Sequence, residues 1–132
     1  MGIELNIDPK TIALVVDDHP LTREMVRSIL RSIGFNKIVL AESGTQAQEI
    51  IENQRIDLVL CDWNMPNGSG IELLRAVRSN PRFQDLPFLM LTAEAYRENI
   101  VAAVKAGVTD YVAKPFTAGT LSQKISAILS KK

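Results

Sequence analysis

Residues 56–70 read IDLVLCDWNMPNGSG, an apolar run that ends in an acid and a tryptophan before the chain breaks into turn residues. The run is almost uninterrupted, whereas a strand with one solvated face alternates apolar and polar side chains. Continuous apolar strands are typical of a parallel sheet that is covered on both faces. The stretch therefore predicts a buried strand over residues 56–61 that brings Asp62 and Trp63 to its carboxyl end.

Four more short apolar runs occur along the chain, at residues 12–16, 38–40, 88–91 and 111–113. A segment with helical periodicity follows each of the five runs, and Gly34 and Gly107 end the first and fourth of these helices. Five alternating strand and helix units predict an α/β sandwich, in which right-handed crossovers place helices on both faces of a parallel sheet. In such sheets the reactive positions lie beyond the carboxyl ends of the strands.

Charged and polar side chains stand at those predicted strand ends. They are Asp17 and Asp18 after the first strand, Asp62 after the third, Thr92 after the fourth and Lys114 after the fifth. Each alone has a simpler interpretation, since Asp or Thr can cap a helix and Lys can be a solvated loop residue. Together, three carboxylates within a few Å would repel by about 4 kcal/mol per pair at an effective dielectric of about 20. One lysine cannot neutralise them, so the cluster predicts a divalent cation.

Mg²⁺ fits this prediction because proteins bind it through one or two carboxylates together with waters and phosphate oxygens. The same edge of the sheet would then be a site of phosphoryl transfer. Asp62 is the candidate nucleophile, while Thr92, Lys114 and the metal are each placed to bind one equatorial oxygen of the transferred group.

The composition is that of one folded domain covering residues 1–132. Fifteen basic side chains balance fifteen acidic ones, so we expect no direct binding of nucleic acid through a bulk positive field. No apolar run approaches the length of about 20 residues that crosses a bilayer, so we expect no membrane insertion. The single cysteine, Cys61, cannot form an internal disulfide, which favours a reducing compartment and a cytoplasmic location.

Four motifs, LVVDD, DWNMP, LMLTAEA and DYVAKPFTAGTL, occur in this order between residues 14 and 121. In order and spacing they resemble the receiver domain of two-component response regulators, particularly the CheY-like single-domain chemotaxis regulators, over residues 12–129. The resemblance implies a flavodoxin-like (βα)5 three-layer sandwich with strand order 2-1-3-4-5. It also implies that a histidine kinase or phosphotransfer protein donates a phosphoryl group to Asp62 with Mg²⁺, for which Mn²⁺ can substitute.

The resemblance also assigns a metal-binding set. By this likeness Asp18 and Asp62 bind the ion directly, together with the backbone carbonyl of Asn64, and Asp17 acts largely through water. His19, the only histidine, lies beside this acid pair. We interpret it as a partly exposed loop residue rather than as a ligand.

Further roles follow from the same likeness. Tyr111 matches the aromatic that swings inward as Thr92 moves, which makes these two residues the switch. Asn64 and Glu94 match the positions that flank the attacking water and tune self-dephosphorylation. The domain would thus be a phosphoacceptor that catalyses only its own phosphorylation and dephosphorylation, and not an enzyme with an external substrate.

The output is expected on the face formed by the fourth helix, the fifth strand and the fifth helix, around Tyr96, Ala103, Tyr111 and Lys124. A downstream protein would bind there, and the flagellar motor switch is the target that a CheY-like chemotaxis role implies. Tyr96 departs from the lysine that CheY-like regulators carry at this position, so the target is less firmly implied than the receiver fold.

Three alternatives stay open at this point. The chain can be a receiver domain cut from a larger regulator or hybrid kinase. A Mg²⁺-dependent phosphatase with an aspartyl nucleophile is disfavoured, because it needs a second acid two residues after Asp62, where this chain has Asn64, and there is no cap domain. An FMN carrier is disfavoured because the first loop is acidic rather than rich in Ser, Thr and Gly.

The Lys114–Pro115 peptide bond is predicted to be cis, because the lysine must turn back towards Asp62.

Overall fold

A computed structural model describes residues 7–63, 65, 69–92 and 97–130 of the protein. Within these residues the strands are β1 (Ile12–Val16), β2 (Lys37–Ala41), β3 (Leu58–Asp62), β4 (Phe88–Thr92) and β5 (Asp110–Ala113). The helices are α1 (Pro20–Ser32), α2 (Gly44–Asn53), α3 (Gly70–Ser79), α4 (Arg97–Lys105) and α5 (Ala118–Leu129), with a short 3₁₀ helix at Pro81–Phe83. Strand and helix alternate as the sequence predicts.

The five described strands form one parallel sheet in the order β2-β1-β3-β4-β5. This order confirms the flavodoxin-like topology, and it places β3 at the centre of the sheet. Side chains of α1 and α5 pack into one apolar core, and side chains of α2 and α3 pack into a second core. The molecule is therefore a three-layer sandwich whose strand carboxyl ends all lie at one edge.

The central strand β3 is buried at every position, as is its neighbour β4. Successive side chains of a strand point to opposite faces. Leu58 and Leu60 accordingly enter the core beneath α1 and α5, and Val59 and Cys61 enter the core beneath α2 and α3. A strand that contributes to two cores needs an apolar side chain at each position, which explains the continuous apolar run over residues 58–61.

The predicted start of β3 at residue 56 is wrong, because the strand begins at Leu58 and its last residue is Asp62. The cause is Asp57. Its backbone N–H donates to the Ile12 carbonyl at 2.8 Å, and its side-chain Oδ2 accepts from the Ile12 N–H at 2.9 Å. The Asp57 carboxylate, and not a backbone carbonyl, thus accepts the hydrogen bond from the first N–H of β1. The ladder between β1 and β3 therefore begins one residue later, at Leu58.

The helix ends have local causes. Gly34 after α1 and Gly107 after α4 have φ of 121° and 93°, a left-handed backbone that glycine adopts without a steric penalty, so the predicted ends of these helices are confirmed. Ser69 begins α3 with a reciprocal capping box to Glu72. Among the residues that the structure describes, no helix has the length and apolar character needed to span a membrane.

Candidate functional site

The carboxyl ends of four strands are held in register by hydrogen bonds that continue one residue beyond the ladder. The Asp17 N–H donates to the Ala41 carbonyl at 3.1 Å. The Lys114 N–H donates to the Thr92 carbonyl at 2.7 Å. Because these bonds fix the backbone at the edge of the sheet, the side chains that follow each strand converge on one place.

Lys114 joins two of the predicted carboxylates. Its Nζ lies 3.0 Å from Asp62 Oδ1, to which it donates a hydrogen bond, and 3.7 Å from Asp17 Oδ2. Both acids are buried, with 1% of Asp17 and 5% of Asp62 exposed. The Lys114–Pro115 bond is cis, as predicted. The structure therefore brings together the candidate nucleophile, the acid that follows β1 and the lysine that follows β5.

Burial raises the pKa of the Asp62 carboxyl above its ordinary value of 3.8. The hydrogen bond and charge of Lys114 act in the opposite direction, and the charges of Asp17 and Asp18 raise the pKa further. The Lys114 ammonium therefore does not fully offset the free-energy cost of burying the ionised Asp62 carboxylate. An additional cation would relieve that cost.

The chemistry of this cluster fits a divalent cation. Within the described part of the chain, Asp17 Oδ2 and Asp18 Oδ1 are buried side-chain oxygens without a hydrogen-bond partner. Ligand atoms of Asp17, Asp18, His19 and Asp62 all lie within 4.8 Å of one another. Carboxylate oxygens are the ligands that Mg²⁺ prefers, and buried oxygens that lack donors are suited to accept a metal ion.

The remaining predicted residues have different outcomes. Thr92 is the last residue of β4 and is buried, next to the strand that carries Asp62. Tyr111 lies in β5 and is partly buried against the core beneath α2 and α3. Asn64, Glu94 and Tyr96 lie outside the described residues.

A small cavity of about 10 Å³ lies between the two predicted switch residues. It is lined by Trp63, Met90, Thr92, Ile100, Ala103 and Tyr111. This volume is about that needed for one water molecule. Ala103 is buried with 1% exposed, so its predicted place on the output surface is wrong: this side chain lines the space beneath that surface.

Lys124 of α5 lies over the ring of Tyr111. Its Nζ lies 5.6 Å from the centroid of the Tyr111 ring and 3.2 Å from Asp110 Oδ1. An ammonium within about 6 Å of an aromatic face is attracted by the ring. The lysine therefore connects α5 to β5 by an ion pair and a cation–π contact.

Gly70, the first residue of α3, has a role at this site that the sequence motifs do not indicate. A Cβ added there would lie 2.5 Å from the Asp62 carbonyl oxygen and 2.8 Å from Met90 Sδ. The Gly70 N–H also donates to the Trp63 carbonyl at 2.9 Å. Glycine thus lets α3 begin directly against the backbone of the nucleophile. The only signal in the sequence is a glycine just after the helix-capping Ser69.

A family model described as the response regulator receiver domain matches residues 13–126. The chain belongs to this family. This confirms the predicted receiver domain, and receiver domains are regulatory domains that bind Mg²⁺ at an acidic site.

Individual relatives of this receiver domain agree with the assignment. The chain is 45% identical over 118 residues to the chemotaxis protein CheY of Pseudomonas aeruginosa. The matched region covers 89% of this chain and 95% of that protein. The structure of the chemotaxis protein CheY4 of Vibrio cholerae has a TM-score of 0.84 at 31% identity, covering 89% of this chain and 98% of that one.

A third relative is the receiver domain of a sensor histidine kinase of Pseudomonas aeruginosa PAO1. Its structure has a TM-score of 0.83 at 30% identity and covers 91% of this chain and 98% of that one. It contains a magnesium ion coordinated in the active site cleft. The receiver domain described here is thus CheY-like in sequence and in fold.

Proposed function

We propose that this receiver domain is a phosphorylation-controlled binding module of two-component signalling. Asp62 accepts a phosphoryl group from the phosphohistidine of a histidine kinase or a phosphotransfer protein. The observation that carries the proposal is the 3.0 Å contact between Lys114 Nζ and Asp62 Oδ1 beside buried carboxylate oxygens without hydrogen-bond partners. A purely structural ion pair would not need two further acids at the same place.

In the proposed reaction an Asp62 carboxylate oxygen forms a bond to phosphorus as the bond between phosphorus and the histidine nitrogen breaks. The donor ring keeps the electron pair of that bond, and Asp62 becomes an acyl phosphate. Because Lys114 binds Oδ1, we assign the attack to Oδ2. Lys114 and the Thr92 hydroxyl then bind oxygens of the transferred group, which stabilises its charge as the bonds change.

Asp17, Asp18 and Asp62 are the side chains proposed to hold Mg²⁺, with the backbone carbonyl of Asn64 as a further ligand. When bound, the ion neutralises charge on the phosphoryl oxygens and on the carboxylates. The cluster of oxygen ligands and the two buried oxygens without donors support this role.

The signal ends by hydrolysis in this proposal. A water molecule attacks phosphorus, the bond between phosphorus and Asp62 breaks, and the carboxylate is restored. Asn64 and Glu94 are proposed to flank the path of that water and so to set the lifetime of the phosphorylated state. The domain then acts only on its own modification.

The proposed output is a change on the face formed by α4, β5 and α5. Phosphorylation draws Thr92 towards Asp62, and the space that Thr92 vacates adds to the small cavity that both residues line, so that the tyrosine ring moves inward. A downstream protein binds the altered face more tightly, with a coupling of about 1 to 3 kcal/mol. The 45% identity to a chemotaxis protein favours a chemotactic role, with the flagellar motor switch as the target.

Incubation with acetyl phosphate and Mg²⁺ should add one phosphoryl group to the intact chain, as measured by mass spectrometry. Removal of the metal with EDTA should suppress the adduct, because the carboxylate cluster would then repel the incoming phosphate. A chain that gains no adduct under either condition would contradict the proposed function.

Beryllofluoride, which mimics the phosphoryl group on Asp62, should change amide chemical shifts as far as Tyr111 and residues 97–106. The physical reason is that Thr92 and Tyr111 line the same small cavity, so movement of Thr92 alters the packing of Tyr111. The Asp62→Asn protein is the control and should show no such changes. Changes confined to the loops around Asp62 in the wild type would show that the proposed switch does not exist.

A further inference from the structure

We propose that His19 is a metal ligand and that the acidic site therefore binds Zn²⁺, and borderline divalent transition ions of its kind, through a mixed nitrogen and oxygen set. The inference rests on the proposed metal site and adds an imidazole to it. It replaces the interpretation of His19 as a loop residue without a ligand role.

The position of the imidazole is the first observation. His19 Nδ1 lies 3.2 Å from Asp18 Oδ1 and 3.4 Å from Asp17 Oδ1. At 3.2 Å a well-aligned ring N–H would donate to the carboxylate. Asp18 Oδ1 is nevertheless buried without a hydrogen-bond partner. The ring nitrogen and the carboxylate oxygens thus lie within ion-pair distance but form no hydrogen bond with each other.

The distances match those between ligands of one cation. Two atoms bound at about 2.1 Å are about 3.0 Å apart at a right angle and about 3.4 Å apart at a tetrahedral angle. The two separations measured from Nδ1 lie in that interval. Asp62 also contributes an oxygen within 4.8 Å of the others.

The backbone already orients His19. Its N–H donates to Asp17 Oδ1 at 2.9 Å, and it is the N-cap residue of α1, where it makes no side-chain capping bond. The side chain is 69% exposed, so a small movement of the ring towards an ion requires no repacking of the core. The imidazole is thus held beside the carboxylates and has no capping role to lose.

Ligand chemistry determines which ions gain from this residue. Mg²⁺ prefers oxygen ligands, whereas Zn²⁺ binds imidazole nitrogen together with carboxylate oxygen. His19 is the only histidine in the sequence, and the only cysteine, Cys61, is buried in the core. Nitrogen ligation of Zn²⁺ by a side-chain imidazole therefore has one source in this chain, and Mg²⁺ and Zn²⁺ should compete for the site.

The test is isothermal titration of the untagged chain with Zn²⁺ and, separately, with Mg²⁺, with Trp63 emission as a second readout. His19→Ala should lower the affinity for Zn²⁺ by at least about tenfold and leave that for Mg²⁺ within about twofold. Asp18→Asn should weaken both ions. Glu24→Gln removes an exposed α1 carboxylate that pairs with Arg27 at 2.9 Å, and it should change neither affinity.

Unchanged Zn²⁺ affinity in His19→Ala would overturn the inference while leaving the proposed Mg²⁺ site and phosphorylation intact. A loss in Glu24→Gln equal to that in His19→Ala would also overturn it, because the binding would then be a general property of surface charge. Full retention of both ions by Asp18→Asn would instead contradict the metal site of the proposed function, and with it this inference.

Discussion

Asp62→Asn should form phosphoryl adduct from acetyl phosphate and Mg²⁺ at least about a thousandfold more slowly than the wild-type chain. An amide oxygen is a poor nucleophile and carries no charge with which to bind the metal, so the substitution removes two functions at once. The measurement is the mass of the intact protein over time, followed by peptide mapping of the wild-type adduct. An adduct that forms undiminished in Asp62→Asn would show that another residue is the nucleophile.

The control for this experiment is Asp110→Asn, which also removes a carboxylate paired with a lysine but lies on the side of β5 that faces Lys124. It should be phosphorylated at the wild-type rate. Equal losses in the two variants would mean that general damage, and not loss of the nucleophile, explains the result.

Asp62→Asn should also be folded and more stable than the wild type at neutral pH, because it removes a charge that burial and the carboxylates of Asp17 and Asp18 disfavour, while Lys114 keeps Asp17 as a partner. Burial raises the pKa of Asp62 in the folded state above its pKa in the unfolded chain, so ionisation of this carboxyl destabilises the folded state. The wild type is therefore most stable, as far as Asp62 is concerned, below the unfolded-state pKa, and it loses that stability as the pH rises through the folded-state pKa. The asparagine does not titrate. Urea unfolding without metal should therefore show an advantage of the variant that grows from about pH 4 towards pH 7.

Gly70→Ala should destabilise the fold by about 1 to 3 kcal/mol and slow phosphorylation. The added methyl group would lie 2.5 Å from the Asp62 carbonyl oxygen, so either α3 or the end of β3 must move. A shift of β3 displaces the nucleophile from Lys114. Urea unfolding measures the stability, and the time course of adduct formation measures the displacement.

Gly44→Ala is a matched control, because Gly44 also stands first in its helix directly after a capping serine. A Cβ at Gly44 would meet its nearest neighbour, Leu73 Cβ, at 3.7 Å, which is an ordinary contact. This variant should retain wild-type stability or gain slightly, since alanine favours helix over glycine. Equal effects at the two glycines would show that the close approach at Gly70 is not restrictive.

The layers of the fold could be predicted from the sequence because a strand that is buried on both faces needs a continuous run of apolar side chains. β3 needs apolar side chains at Leu58, Val59, Leu60 and Cys61, since these positions enter two different cores. The convergence of Asp62 and Lys114 was predictable for a related reason. Parallel strands share one carboxyl edge, so residues far apart in sequence meet there. The strand order came from the family resemblance and not from composition.

Features that depend on contacts between distant segments could not be predicted in this way. The start of β3 depends on an Asp57 carboxylate that substitutes for a backbone acceptor of Ile12. The need for glycine at position 70 depends on how closely α3 approaches β3. The burial of Ala103 depends on how α4 packs over the sheet. None of these has a periodic pattern in the sequence, because each is set by one specific approach of two elements.

The contact of Lys124 with Tyr111 gives the proposed output an electrostatic component. Lys124 is held by Asp110 and by the π face of the ring, an attraction of about 0.5 to 1 kcal/mol at an exposed site. An inward movement of the ring would withdraw that π face while the Asp110 carboxylate stays in place. The ammonium already donates to both Asp110 oxygens, at 3.2 and 3.3 Å, so it would lose the ring as a partner and keep the carboxylate. A binding partner could in that case distinguish the two states by charge as well as by shape, and an acidic partner would sense the difference more strongly at low ionic strength.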